Sequence, residues 1–266
     1  MMDYEKFKEE VYKISTIDLS AYKEKQMKRR LDALISKHNY DGYEPYVKAL
    51  RLKGEIYEEF VTYMTINVSE FYRNPPQWKI LEEKVLPYLF QKAGSKNIKI
   101  WSAACSTGDE PYSLAMLMSK FIPLKQISIL ATDIDKQILE QAQVGLYAPK
   151  SIVGVPADLK AKYLEVVGKS YKISDEIKKC VTFKQHNLLK DPYPKGMDLI
   201  VCRNVLIYFT NEAKDEIYHK FNLALKPGGV LFVGSTEQII GYQKFNFSSE
   251  QTFFYKKEGE STFAKA

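Results

Sequence analysis

The chain has 266 residues, 45% of them hydrophobic, and carries 39 Lys and Arg against 33 Asp and Glu, a formal charge of +6. That is enough apolar material for one large domain or a domain with a small partner, and the positive balance permits an anionic partner but is too mild to name nucleic acid. No apolar run reaches about eighteen residues and the N-terminus is charged, so a cytosolic protein without membrane span or signal peptide is expected; three separated cysteines, Cys105, Cys180 and Cys202, predict neither a disulfide framework nor a metal site.

Residues 1 to about 75 read as short helices with no strand. Tyr22 to His38 is amphipathic, with Met27, Leu31, Leu34 and Ile35 on one face and Lys23, Lys25, Lys28, Arg29 and Arg30 on the others. Those basic residues are either a solvated face or a docking surface for an acidic protein. Asn74-Pro75-Pro76 marks a boundary, with Asn74 as a plausible N-cap and Pro75 at the first helical position. A helix from Trp78 to Gln91 is closed by Gly94. Strand 98–102, helix 110–120, strand 127–132 and helix 135–142 then alternate, which implies a parallel sheet with covered faces.

The order breaks between Gly145 and Gln185. Gly145 to Pro149 is irregular, Asp158 to Val167 suits a short helix, and Tyr171 to Ile173 with Lys179 to Lys184 suits a hairpin across Ser174 to Lys178, together a small insertion. Alternation resumes with a buried strand Asp198 to Cys202, a helix Asn211 to Leu225, the turn Lys226-Pro-Gly-Gly229 and a strand Val230 to Gly234. Phe253 to Tyr255 is a last apolar strand, and the tail from Lys257 to Ala266 is expected to fray.

The most telling segment runs from Lys99 to Leu114: an apolar run ends in Ser102, Ala103 and Ala104, Gly108 lets the backbone turn, and Pro111 suits a first helical turn. Ile127 to Ala131 similarly ends in Thr132-Asp133-Ile134-Asp135, and an acid at the end of a second strand is where a doubly wound sheet holds a ribose. A dinucleotide site needs three glycines to bring amides to a pyrophosphate, and Ala103 to Gly108 supplies one. Glu110 stands where a helix N-terminus would receive phosphate, and its charge repels a polyanion and attracts a cation. S-adenosylmethionine, with a sulfonium, an amino group and a ribose diol but no phosphate, suits this loop. Alone, Glu110 reads equally as a first-turn acid balancing the helix dipole.

Taken in order, Thr65-Ile-Asn-Val-Ser-Glu-Phe-Tyr-Arg-Asn74, Trp101-Ser-Ala-Ala-Cys-Ser-Thr-Gly-Asp-Glu-Pro-Tyr-Ser113, Ala131-Thr-Asp-Ile-Asp135, Asn187-Leu-Leu189, Cys202-Arg-Asn-Val-Leu-Ile-Tyr-Phe209 and Leu225-Lys-Pro-Gly-Gly229 span almost the whole chain. The chain so read resembles the CheR family, S-adenosylmethionine-dependent methyltransferases that esterify glutamates of bacterial chemoreceptors. The resemblance implies an α/β fold: a Rossmann-like doubly wound methyltransferase sheet at 76–266, an N-terminal all-helical receptor-docking domain and linker at 1–75, and a small inserted β-subdomain at about 145–185. It also implies a cytoplasmic protein recruited to membrane receptor arrays, with the chemoreceptor helical bundle as partner. Asn67, Ser69 and Arg73 would contact the cofactor from the linker, with Ser69 where the family often has Thr. Glu110 would take the methionyl amino group, Asp133 the ribose hydroxyls, and Asn187 with Leu188 the adenine edge. Arg203 and Asn204 would close the pocket. Asp109, where Glu is frequent in the family, adjoins the ligand. Singly, Asn67 also reads as a helix stop, Asp133 as an N-cap, Asn187 as a turn residue and Arg203 as a surface ion pair.

Methyl transfer from a sulfonium is an in-line displacement, and a glutamate carboxylate is already ionised at neutral pH, so no general base is required; the product is S-adenosylhomocysteine. His38, His186 and His219 read as structural. Arg73 would pair with the incoming carboxylate or hold the cofactor near it, and Tyr208 would orient that carboxylate by a hydrogen bond, unless Tyr208 is a core aromatic. Lys25, Lys28, Arg29 and Arg30 would meet the acidic face of the receptor. Two rival readings stay open: a methyltransferase acting on RNA or a small molecule, although Cys202-Arg-Asn-Val-Leu lacks the Asn/Asp-Pro-Pro-Tyr/Phe signature of amino-group methylation, and a non-catalytic S-adenosylmethionine-binding signalling adaptor.

Overall fold

The structure, a computed structural model, describes residues 2–259; most of the tail expected to fray, 260–266, lies outside them. The described residues divide into two compact units, one of residues 2–67 and 206–215, the other of residues 68–205 and 216–259.

The first unit is helical. It comprises α1 (Tyr4–Ser15), α2 (Glu24–Lys37), α3 (Tyr43–Arg51) and α4 (Glu55–Thr65). Asp3 caps α1 by accepting from the Lys6 amide at 2.9 Å. Met27, Leu31, Leu34 and Ile35 are the buried face of α2, as its 3.6-residue periodicity requires. Aromatic rings join the other helices: Phe7 of α1 lies 4.6 Å from Tyr43, and Tyr46 of α3 lies 6.4 Å from Phe60 of α4. The 206–210 segment seals this unit through Phe209, stacked on Tyr22 at 4.6 Å, and through the Thr210 amide, bonded to the Ala21 carbonyl at 2.8 Å.

The second unit opens with α5 (Pro75–Ile80), a π-helical turn Leu81–Val85 and α6 (Leu86–Ala93). Trp78, Leu81, Val85, Leu86 and Leu89 bury one side of this continuous helix, and Gly94 ends it at a φ of 62°. Asn74 holds the N-cap position of α5 with Pro75 first in the helix, as the sequence suggested, and its carbonyl takes the Gln77 amide at 3.0 Å, but its side chain does no capping. It adopts a left-handed conformation, and its Oδ1 instead accepts from Arg203 Nη2 at 3.0 Å.

The strands are β1 (Ile100–Ala103), β2 (Ile129–Asp133), β3 (Leu146–Tyr147), β4 (Leu164–Val167), β5 (Ser170–Ile173), β6 (Val181–Gln185), β7 (Met197–Cys202), β8 (Leu225–Val233), β9 (Phe247–Gln251) and β10 (Phe254–Lys257). Seven of them form one sheet in the order β6-β2-β1-β7-β8-β10-β9. Its first five members are parallel, and β10 and β9 close it antiparallel. The intervening helices are α7 (Asp109–Met118), α8 (Lys136–Val144), α9 (Ala157–Tyr163), α10 (Asp175–Lys178) and α11 (Asn211–Ala224). β1 and β7 are buried along their whole length, which is why Leu199 to Cys202 reads as an unbroken apolar run.

The insertion departs from expectation. Tyr171 and Ile173 do not pair forward with 179–184: β5 pairs backward with β4 and with β3 in a separate three-stranded antiparallel sheet. Gly168, at a φ of 59°, supplies the tight turn between β4 and β5. Residues 181–185 instead join the main sheet as β6, in register from Ile129↔Val181 to Asp133↔Gln185. The helix expected over 158–167 ends at Tyr163, and β-branched Val166 and Val167 continue as strand.

Candidate active site

β1, β2, β6, β7 and β8 run parallel, and the polar groups of interest gather beyond their C-terminal ends, where such a sheet opens to ligand. After β1 the chain turns through Ala104 at a φ of 60°, Ser106 at 49° and Gly108 at 86°. A Cβ on Gly108 would lie 3.0 Å from Ala142 Cβ and 3.2 Å from the Tyr112 ring, so this loop needs glycine for both its φ and its packing.

The loop delivers Glu110 into the second residue of α7. Ser102 Oγ donates to its Oε1 at 2.7 Å, and Arg203 Nη1 stands 3.8 Å from its Oε2. Burial pushes the Glu110 carboxyl up to about 7, with Arg203 and Ser102 pulling the other way. The neighbouring Asp109 is also buried: Thr107 Oγ1 and Ser69 bond its carboxylate, and its Oδ1 has no partner. Ser69 thus reaches α7 through Asp109. Burial likewise moves Asp133, at the end of β2, up to about 6, although its carboxylate accepts from the amides of Ser106 at 2.9 Å and Asp135 at 3.1 Å. Capping of α8 falls to Asp135, which takes the amides of Gln137 and Ile138, and this removes the N-cap reading of Asp133.

Beyond β6, His186 bonds through its amide to the Asp133 carbonyl at 2.8 Å. Asn187 turns the chain there: its amide donates to Asp191 at 2.8 Å, and its Oδ1 accepts from the Leu189 amide at 2.9 Å. Leu188 is buried, and its carbonyl accepts from the Tyr193 hydroxyl at 2.8 Å. These residues follow the same strand end as Asp133, across the β2–β6 pair.

Arg203, just past β7, is no surface ion pair. It is buried, and its Nη2 donates to the Arg73 carbonyl at 2.7 Å and to the side-chain oxygens of Asn74 and Gln77 at 3.0 Å each. Its guanidinium lies 4.7 Å from the centre of the Phe232 ring. Arg203 therefore ties the strand ends to the 73–77 segment while facing Glu110. Arg73 donates from Nη1 to the Val68 carbonyl at 3.2 Å, and its charge also reaches Glu110 and Arg203. Asn204 has a φ of 62°, and its amide donates to Glu237. Glu237 was missed from the sequence; the available signal was an acid shortly after a strand end, as with Asp133.

Asn67 and Tyr208 belong to the helical unit. Asn67 Nδ2 bonds to Thr65 Oγ1 at 2.8 Å, just past the left-handed Ile66 that ends α4. The Tyr208 carbonyl takes the Lys23 amide at 2.9 Å. On α2, Lys25, Lys28 and Arg29 are exposed. Arg30 differs: it donates to the Tyr63 carbonyl and packs 4.3 Å over the Tyr63 ring, joining α2 to the end of α4. Among the described residues no helix is long and apolar enough to cross a membrane.

Two buried carboxylates held above their ordinary pKa, one in the first turn of the helix after β1 and one at the end of the adjacent β2, without a glycine-rich phosphate cradle, fit a ligand bringing an ammonium and a diol. Residues that would hold it are Glu110 for the ammonium and Asp133 for the diol. The sheet order and the acids beyond its strand ends are those expected of an S-adenosylmethionine-dependent methyltransferase. The comparisons agree: the family model "CheR methyltransferase, SAM binding domain" matches residues 67–254, and "CheR methyltransferase, all-alpha domain" matches residues 2–65. The chemotaxis protein methyltransferases of Listeria monocytogenes and Listeria innocua are 42% and 41% identical over 255 residues, covering 96% of this chain and 97% of each relative. That of Borreliella burgdorferi is 34% identical over 93% of this chain and 91% of its own length. The chain belongs to the CheR methyltransferase family.

Proposed function

We propose that this methyltransferase esterifies glutamate side chains on the cytoplasmic helical bundle of chemoreceptors, and that α2 docks on that bundle. The observation carrying the reading is the charge pattern of the site: buried acids on the cofactor side and, on the linker, the partly exposed guanidinium of Arg73. An acidic methyl acceptor is steered by such a group. A glutamate with a reference pKa of about 4.3 arrives ionised, so the protein has no proton to remove and works by orienting and partly desolvating the nucleophile. When bound, S-adenosylmethionine supplies an electrophilic methyl; the carboxylate oxygen forms the new C–O bond as the C–S bond breaks, its electron pair staying on the departing thioether.

Asn67, Ser69, Arg73, Glu110, Asp133, Asn187, Leu188, Arg203 and Asn204 are proposed to hold the cofactor. Arg73 attracts the carboxylate without forming so tight a pair that its nucleophilicity is lost, and Tyr208 is proposed as the hydrogen-bond donor that orients it. The test is transfer of radiolabelled methyl to chemoreceptor-containing membranes, followed by alkaline release. Alkali-labile label on the receptor, unchanged in kind but slowed in Arg73→Ala and Tyr208→Phe, is the expected result. Cofactor binding with no receptor label would sink the carboxylate reading.

A further inference from the structure

We infer that Glu237 is a positioning residue of the cofactor site: it clamps the backbone of Asn204 to that of Gly234 and thereby sets the course of the chain from which Arg203 faces Glu110. Glu237 lies in the loop after β8 and is only 5% exposed. Its Oε2 accepts from the amide of Gly234 at 2.9 Å and from the amide of Asn204. One oxygen thus staples the loop following β7 to the loop following β8, and these strands are neighbours, paired up to Cys202↔Val233.

The surroundings are built around that staple. A Cβ on Gly234 would stand 2.5 Å from Glu237 Oε2 and 2.8 Å from the Asn204 nitrogen, so position 234 admits no side chain while the staple is closed. Asn204 is left-handed, a conformation that asparagine tolerates and that turns its amide back toward the carboxylate. Ser235, next along, bonds at 3.4 Å to the same Asn74 oxygen that Arg203 holds. The loop after β8 therefore touches both ends of the Arg203 network. Hydrogen bonds from amides to a buried carboxylate are charge-assisted, and removing the acceptor leaves two donors unpaired. Carboxylate charge alone offers a different account, since Glu237 also acts electrostatically on Glu110 and Arg203. Side-chain replacement separates the two: glutamine keeps an acceptor oxygen and loses the charge, and aspartate keeps the charge and falls one methylene short.

The inference rests on the cofactor site and is indifferent to the identity of the methyl acceptor. Its test is calorimetric titration of S-adenosylmethionine into the full-length protein, together with amide hydrogen exchange without cofactor. Glu237→Ala is expected to weaken binding by about tenfold, to speed exchange at Asn204 and Gly234, and to leave the KM for the protein substrate within about twofold. Glu237→Gln is expected to restore binding to within about threefold. A folded Glu237→Ala protein with unchanged affinity overturns the inference, and so does a Glu237→Gln protein as impaired as Glu237→Ala. If Glu237→Ala does not fold, Glu237→Asp decides: weaker binding with faster exchange at both amides supports the staple, and wild-type behaviour overturns it.

Discussion

Glu110 concentrates the chemistry of the site in one titration. Burial holds its carboxyl at about 7, and in the proposed role the ammonium of the ligand favours the ionised form, so binding near neutrality would drive a proton off. The affinity for S-adenosylmethionine is therefore expected to fall as pH drops below 7, by up to about tenfold per unit, with Asp133 adding to the loss below about 6. Stability of the cofactor-free protein has the opposite sense. A carboxyl raised by folding binds its proton more tightly in the native state, so its contribution is present below 4.5 and is lost as pH rises to about 7. Glu110→Gln should accordingly flatten the affinity profile between pH 6 and 7.5 while raising the melting temperature of the cofactor-free protein at pH 8. Calorimetry and thermal melts across that range decide it, and an affinity independent of pH would refute the assignment. Glu110 and Asp133 were legible as candidates because their places in the strand-turn-helix pattern are local. Their pKa values were not, because burial is contributed by segments distant in sequence.

At the level of elements, the segment around Phe71 rests on the small insertion. The Phe71 amide donates to the Ser151 carbonyl at 3.0 Å, and a Cβ on Gly154 would lie 2.6 Å from the Phe71 carbonyl oxygen. Gly154 is not left-handed, so alanine there would ordinarily be harmless or stabilising. Here it must push a backbone away, and Gly154→Ala is expected to cost about 1–3 kcal/mol, seen as a melting temperature several degrees lower. An unchanged melting temperature would show that the turn can move without consequence. Most helices and strands on either side of the insertion were readable from periodicity to within a few residues, but Lys226 to Gly229, read as a turn, is the first part of β8. Inside it, the forward hairpin expected for Tyr171 to Ile173 does not form, because Gly168 turns β4 back onto β5 and 181–185 pairs with β2 instead; β9 gave no apolar run long enough to be noticed.

The whole molecule carries +6, and its basic helix shows how far charge alone can be read. Lys25, Lys28 and Arg29 face solvent, whereas Arg30 serves the end of α4. Arg29→Glu should slow receptor methylation severalfold at low salt and much less at about 1 M, where the screening length is about 3 Å. Arg30→Ala should instead lower stability by about 1–2 kcal/mol with little salt dependence, and parallel rate and melting measurements separate the two. The sequence by itself determined the α/β alternation, the helical unit, the cofactor class and the residue types at the strand ends, because periodicity and loop chemistry are properties of neighbours in the chain. Only the tertiary structure decided that Arg203 would serve a segment 130 residues away, that Glu237 would staple two loops, and that β6 would complete the main sheet. Hydrogen-bond partners and burial are fixed by which distant segments meet, and no local pattern records that.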